Sequence, residues 1–226
     1  MVKSYLRYSE AACLGVVCSG SANVEFDRRG EHAIAAALSS VVLWNLRTGA
    51  RAKTLGEAQL RAEVTALRRS PDGKAVAAGY SDGSVRIWSL GDGECTVTFH
   101  GHKKGVTALA FNRAGNLLAS AGKDTDIVVW DVIAEAGQCR LQGHKDAVTD
   151  VHFLEDADRP LLISTSKDTL AKLWELETQH CVQTLVGHRS EIWSLAVTGD
   201  GARVVTVKSQ HHTHAAHFAI PADFFF

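Results

Sequence analysis

The chain has 226 residues, 46% of them apolar and 22% charged, which argues against general disorder and leaves room for one large domain or two small ones. Lysine plus arginine (24) nearly balances aspartate plus glutamate (25), so no overall field selects nucleic acid or anionic lipid, and any RNA contact needs a local patch. Five cysteines without CxxC spacing argue against a disulfide framework and a zinc knuckle, and fit a reducing compartment.

Residues 1–22 form an N-terminal segment, a candidate closing strand. Its apolar run from Ala11 to Cys18 weakly imitates a secretory leader, but Arg7, Ser9 and Glu10 interrupt the approach to it. No apolar run reaches the roughly 18 residues of a membrane span. From residue 23 onward, short β-branched runs end in tryptophan: "VVLWNL" at Trp44, "VRIWSL" at Trp88, "IVVWDV" at Trp130 and "AKLWEL" at Trp174, spaced by 44, 42 and 44 residues. Gly101-His102, Gly143-His144 and Gly187-His188 keep the same beat, 42 and 44 apart, and each precedes a run of alternating character such as "VTALAF" or "VTDVHF".

One period reads as strand, turn, strand, turn, strand, turn, strand: "VTALAF", "NRAGN", "LLASA", "GKDTD", "IVVW", "DVIAEAG", "QCRLQ". Pro71-Asp72-Gly73, Ser81-Asp82-Gly83 and Ala114-Gly115-Asn116 supply the turn chemistry. The predicted fold is all-β: four-stranded antiparallel meanders over residues 23–56, 60–100, 101–142 and 143–186, with a partial unit over 187–207. A lone meander is marginal in water, so the units must stack on one another. Residues 208–226 depart from the pattern and are expected to form a disordered tail.

The joint recurrence of Gly-His and strand-ending Trp on this period resembles the WD-repeat (WD40) β-propeller family, in which each period is one blade. The resemblance covers roughly residues 20–205. It implies a hydrogen-bonded chain of His, Ser, Asp and Trp within each blade: His102, Ser120, Asp124 and Trp130 in one, His144, Ser164, Asp168 and Trp174 in the next. Such a chain pairs every buried donor and acceptor. Ser-His-Asp is also catalytic vocabulary, but here the serine lies inside a strand and no GxSxG elbow occurs.

Other blades carry only partial markers. The second keeps Asp82 and Trp88, with Leu60 at the His position and Ala78 at the Ser position, and is expected to be held by packing alone. The first keeps Trp44 in a compressed unit with "LSS" in place of an Asp turn. The last retains His188, and a Trp is due about 30 positions later, where the chain reads "KSQHHTHAAHFAIPADFFF". His211, His212, His214 and His217 could bind a metal adventitiously, but no metal site is assigned. At about 43 residues per blade the chain holds four to five blades, an incomplete propeller against the usual seven or so.

No GxxxxGK[ST], HExxH, EF-hand or GxGxxG motif occurs, so no catalytic residue, cofactor or small-molecule substrate is expected. The pairs Arg28-Arg29, Arg68-Arg69 and Lys103-Lys104 read as solvated loop charges. "KDTDIVVWDV" and "TQHC", beside "YLRYSEAACLGVV" and "LQGHKDAVTDVHFL", resemble the first propeller of the WD repeat-containing protein 3 family. That resemblance implies a nucleolar scaffold of the UTP-B type in the small-subunit processome. Its partners would be other WD-repeat subunits, with the small nucleolar ribonucleoprotein and pre-rRNA reached indirectly and no membrane involved. The rival class is a WD-repeat adaptor in signalling or ubiquitin-dependent degradation.

Overall fold

The computed structural model describes residues 19–20, 22–57, 59–155, 160–198, 203–208 and 216–219. Most of the candidate closing segment lies outside them, as do His211, His212 and His214. Among the described residues every element is a strand. The first sheet holds β1 (Val24–Phe26), β2 (His32–Ala37), β3 (Ser40–Asn45) and β4 (Arg51–Leu55), and the second β5 (Val64–Arg69), β6 (Ala75–Tyr80), β7 (Ser84–Ser89) and β8 (Cys95–His100). The third holds β9 (Val106–Phe111), β10 (Leu117–Gly122), β11 (Ile127–Asp131) and β12 (Ala136–Leu141), and the fourth β13 (Val148–Glu155), β14 (Pro160–Ser166), β15 (Leu170–Glu175) and β16 (His180–Val186). The fifth has three strands, β17 (Ile192–Val197), β18 (Arg203–Lys208) and β19 (Ala216–Ala219).

Each sheet is an antiparallel meander in sequence order, and its first strand packs on the first strand of the next sheet: β1 on β5, β5 on β9, β9 on β13, β13 on β17. This is the arrangement of propeller blades around an axis, with first strands innermost. The two central strands of a blade are covered on both faces by neighbours. They therefore read as nearly continuous small and apolar runs such as "AVAAGY" and "LLASAG", with five of six residues buried in β6 and in β10. Outer strands face solvent and stay mixed, as in "HCVQTLV" of β16.

The core is a series of layers between blades. Ile34, Val41 and Leu55 of the first meet Val76, Tyr80 and Trp88 of the second; Val85 and Phe99 meet Leu118 and Trp130; Ile127 and Leu141 meet Phe153 and Trp174; and Ile163 and Leu173 meet Leu195 and Val204. Burial is thus paid out between repeats, which is why one repeat alone would not suffice. In all four complete blades a register shift falls just before the tryptophan on its ladder with the outer strand. The bulge swings the indole into the layer against the preceding blade in the three cases where one exists.

The tail differs from expectation. Ala216–Ala219 pairs antiparallel with β18, placing Phe218 opposite Val204. That is the register place where Trp130 faces Leu118 and Trp174 faces Leu162, so the chain keeps the repeat's spacing after losing its wording. The physical reason is the edge of β18: its unpaired backbone groups take a further strand from any segment that can supply the hydrogen bonds.

Candidate functional site: hydrogen-bonded tetrads and clasped inner strands

The "KDT" turns close the second and third strands of their blades with a residue in the left-handed region. Thr125 and Thr169 both have φ 71°, at the position where the second blade has Gly83 at φ 90°. Each turn is drawn onto the preceding Gly-His loop: Lys123 N–H donates to Gly105 O at 2.9 Å and Lys167 N–H to Ala147 O at 3.0 Å. That docking brings the turn aspartate to the histidine.

In the third blade His102 Nδ1 lies 2.9 Å from Asp124 Oδ1 and His102 Nε2 lies 2.8 Å from Ser120 Oγ, which accepts the Trp130 indole N–H at 2.8 Å. The fourth repeats it: His144 Nδ1 to Asp168 Oδ2 at 2.9 Å, Nε2 to Ser164 Oγ at 2.8 Å, and Trp174 N–H donating to Ser164 Oγ at 2.8 Å. All eight predicted residues are thus brought together in two sets of four. Lys103 N–H donates to the other oxygen of its carboxylate, Asp124 Oδ2, at 2.8 Å, whereas Lys145 N–H shares Asp168 Oδ2 with the imidazole, at 2.9 Å. A carboxylate only accepts, so Nδ1 carries the ring proton. In a neutral ring Nε2 then accepts from the serine hydroxyl, whose oxygen is left for the indole.

The glycine of Gly-His has a steric role. A Cβ on Gly101 would stand 2.5 Å from the Cη2 of Trp130, so the loop can lie over the indole only where no side chain exists. The serine hydroxyls are fully buried, with Ser120 and Ser164 at 0% exposure, and point at tryptophan and histidine rather than at an open cleft.

Burial pushes the Asp124 and Asp168 carboxyls up, but hydrogen bonds from the Lys103 and Lys145 amides and from the paired histidines outweigh it and hold both below the ordinary 3.8. Burial also depresses His144 below its ordinary 6.5, against the pull of Asp168. The signs agree. A depressed His144 contributes stability that is complete above 6.5 and lost as pH falls through its folded value, and the depressed aspartates add a second loss below 3.8. The thermal midpoint is therefore expected to fall from about pH 7.5 to about pH 5 and to fall again below pH 4. Melts that stay level across both intervals would contradict this.

The partial blades show what replaces a missing member. In the second, Trp88 N–H donates to the Tyr80 hydroxyl at 3.2 Å, which corrects the expectation that this blade is held by packing alone. Tyr80 faces Val64 as Gly122 faces Val106, and a Cβ at Gly122 would meet His102 Nδ1 at 2.5 Å. Where the histidine is lost to Leu60, its space is free for a tyrosine, whose phenol is pushed up to about 12 by burial. Asp82 serves its own turn, accepting from Ser84 N–H at 2.9 Å and Ser84 Oγ–H at 2.7 Å. Tyr80→Phe is expected to lower stability by about 1–2 kcal/mol by stranding the Trp88 N–H, read as a shift of the urea midpoint with the slope unchanged.

In the first blade the Ser position holds Ala35, paired with Val42, and the buried Trp44 Nε1 has no partner among the described residues. In the fifth, His188 Nε2 lies 2.6 Å from Thr206 Oγ1. Thr206 follows His188 by 18 residues, the interval from His102 to Ser120, so spacing alone could have found it.

A second device was not legible at all. Asn23 donates its Nδ2–H to Leu67 O at 2.9 Å and accepts Leu67 N–H at 2.8 Å, tying the first inner strand to the second. Asp150 ties the fourth to the fifth, accepting Leu195 N–H at 3.0 Å and Ser194 Oγ–H at 3.3 Å. The two precede Val24 and Val151, which share a register place opposite Ala35 and Ser164. Between these clasps, Thr65 Oγ–H donates to Val106 O at 2.6 Å and Thr107 Oγ–H to Val148 O at 2.5 Å. Burial pushes the Asp150 carboxyl up, against the hydrogen bonds from Leu195, Val151 and Ser194.

Stacked antiparallel meanders, inner strands clasped in series and His–Ser–Trp–Asp chains inside the third and fourth blades define a WD-repeat β-propeller array. The model of the WDR3 first beta-propeller domain matches residues 31–216, and the chain belongs to that family. U3 small nucleolar RNA-associated protein 12 of Saccharomyces cerevisiae is 37% identical over 219 residues, covering 88% of this chain and 23% of that protein. Transducin beta-like protein 3 of Bos taurus is 30% identical over 179 residues, covering 79% of this chain and 22% of that protein. Nuclear distribution protein PAC1 of Arthroderma otae is 32% identical over 150 residues. The chain thus spans less than a quarter of the length of the first two.

Proposed function

We propose that this chain acts as a non-catalytic scaffold in the nucleolar small-subunit processome, in a UTP-B type assembly supporting pre-rRNA processing. The observation that carries the proposal is the 37% identity, across 88% of the chain, to a protein named for its association with U3 small nucleolar RNA, together with the family match over residues 31–216. The geometry supports a binding role rather than a chemical one. Ser120 and Ser164 are buried acceptors of indole protons, and the imidazoles are spent between hydroxyl and carboxylate. We assign both tetrads a structural role: they hold loops and turns in place, so that blade surfaces meet other propeller subunits with little ordering cost on assembly.

The test is affinity capture from nucleolar extract with the full-length form as bait. Recovery of the other WD-repeat subunits and U3 RNA is expected, and recovery of none of them would overturn the proposal. Capture instead of a signalling or ubiquitin-ligase complex from cytoplasm would favour the adaptor class.

A further inference from the structure

The inner strands carry a bulged position near the Gly-His loops, and its occupant changes along the array. Register shifts between Val64 and Ala66, Val148 and Asp150, and Ile192 and Ser194 leave Thr65, Thr149 and Trp193 out of the ladder. A bulge re-aims a side chain. Here the threonines and Trp193 line one cavity of about 600 Å³, together with Thr107, Lys123 and Lys167. Trp193 is 49% exposed, while the other four tryptophans are at most 7% exposed. Lys167 Nζ stands 4.3 Å from the Trp193 ring centroid and 3.7 Å from Glu191 Oε2.

The tetrads crowd cations onto the same end of the blades. Each turn aspartate accepts the amide of the lysine after the histidine, Lys103 or Lys145, and is itself preceded by Lys123 or Lys167. Lys104 follows in one loop and Arg189 holds the matching place after His188. Lys103, Lys104, Lys123, Lys145 and Arg189 are exposed, and none of them makes a salt bridge with another described residue. Two further carboxylates stand close to these cations: Asp146, whose Oδ1 is turned back onto the Ala147 amide, and Glu191, which a phosphate would displace from Lys167.

We infer that this end of the array binds a single-stranded polynucleotide, with Trp193 as the stacking platform and Lys103, Lys123, Lys145 and Lys167 as phosphate contacts. One cation set recurring from blade to blade suits a polymer with evenly repeated negative charge, and an exposed indole accepts the face of any base. Thr65, Thr107 and Thr149 line the cavity beside Val106, Ala147, Val148 and the Trp193 indole, so its surface is mixed. The recurring exposed cations around it favour a polyanion over a peptide, most of whose binding energy comes from buried aliphatic or aromatic anchors rather than from charge. Stacking of a base on Trp193 shares the ring with Lys167, whose ammonium then meets the adjoining phosphate. This inference holds whether or not the chain enters the processome, because it concerns the purified chain.

The test uses the full chain with fluorescein-labelled ten-residue uridylate RNA, the deoxythymidylate counterpart and decaglutamate. Binding of RNA or DNA should quench tryptophan emission, since Trp193 is the exposed indole, and weaken roughly 20-fold from 50 to 200 mM salt if three phosphates are neutralised. Trp193→Ala should weaken binding roughly 5- to 100-fold with an unchanged melt. Lys123→Glu with Lys167→Glu should flatten the salt dependence, whereas Arg28→Glu, on a turn at the opposite end, should change nothing. RNA binding stronger than DNA, or the reverse, supports the inference and identifies the sugar preferred. No binding at 100 µM, binding untouched by Trp193→Ala, or equal binding of decaglutamate would overturn it.

Discussion

Replacing Trp174 by alanine is expected to lower the unfolding free energy by about 3–5 kcal/mol, the range for deleting a large aromatic from a packed core. Trp174 is 1% exposed and sits in the layer between the third and fourth blades, among Ile127, Leu141, Val148 and Phe153. Its ring also lies 6.0 Å from the His144 ring, at 62°, an edge-on contact. Truncation removes this contact area, opens a cavity two blades cannot close without breaking their ladders, and leaves Ser164 Oγ without the donor it now accepts. Trp174→Phe is the intermediate case, because it keeps a six-membered aromatic ring while removing the pyrrole half of the indole together with its N–H. It should cost well under half as much. Urea unfolding of all three proteins at one pH is the measurement, and equal midpoints for wild type and Trp174→Ala would refute the packing assigned to this layer.

Asp168→Ala should lower stability by about 1–3 kcal/mol, and Asp124→Ala by a similar amount. Asp168 accepts from His144 Nδ1, the Lys145 amide and, through Oδ1, the Leu170 amide at 3.0 Å. Removing it strands a buried imidazole proton and loosens the left-handed turn at Thr169. The variant should also lose the drop in midpoint below pH 4 that its own titration contributes, because a residue with no carboxyl cannot gain a proton on unfolding. Proton NMR of His144 gives a second readout, since the Nδ1–H signal now held by Asp168 should exchange rapidly with water. An Asp168→Ala protein that melts like the wild type and keeps a slowly exchanging imidazole proton would contradict the tetrad's structural role.

The two blades with complete tetrads were legible because every member belongs to one repeat. His102 to Ser120 spans 18 residues and His144 to Asp168 spans 24, so the tetrad that resemblance to the WD-repeat family implies can be carried onto these positions without knowledge of any neighbour. The same logic reaches Thr206. It does not reach Tyr80, whose place is vacated by a histidine missing from a loop 20 residues earlier at Leu60, nor Phe218, which keeps its register after the motif's wording is gone.

What the sequence by itself determined is the repeat: its period, its meander and its turns, consequences of local backbone preference, with the internal hydrogen-bond chain implied by resemblance to the WD-repeat family. Only the tertiary structure decided how blades are joined and what their shared end presents. Asn23 reaches Leu67 and Asp150 reaches Leu195 across 44 and 45 residues, and the bulges turn threonines and Trp193 toward one cavity. Those features depend on which side chains two copies of a motif bring face to face. Alternation along a single strand carries no record of that, because the same pattern of apolar and polar residues buries equally well against any partner of matching shape.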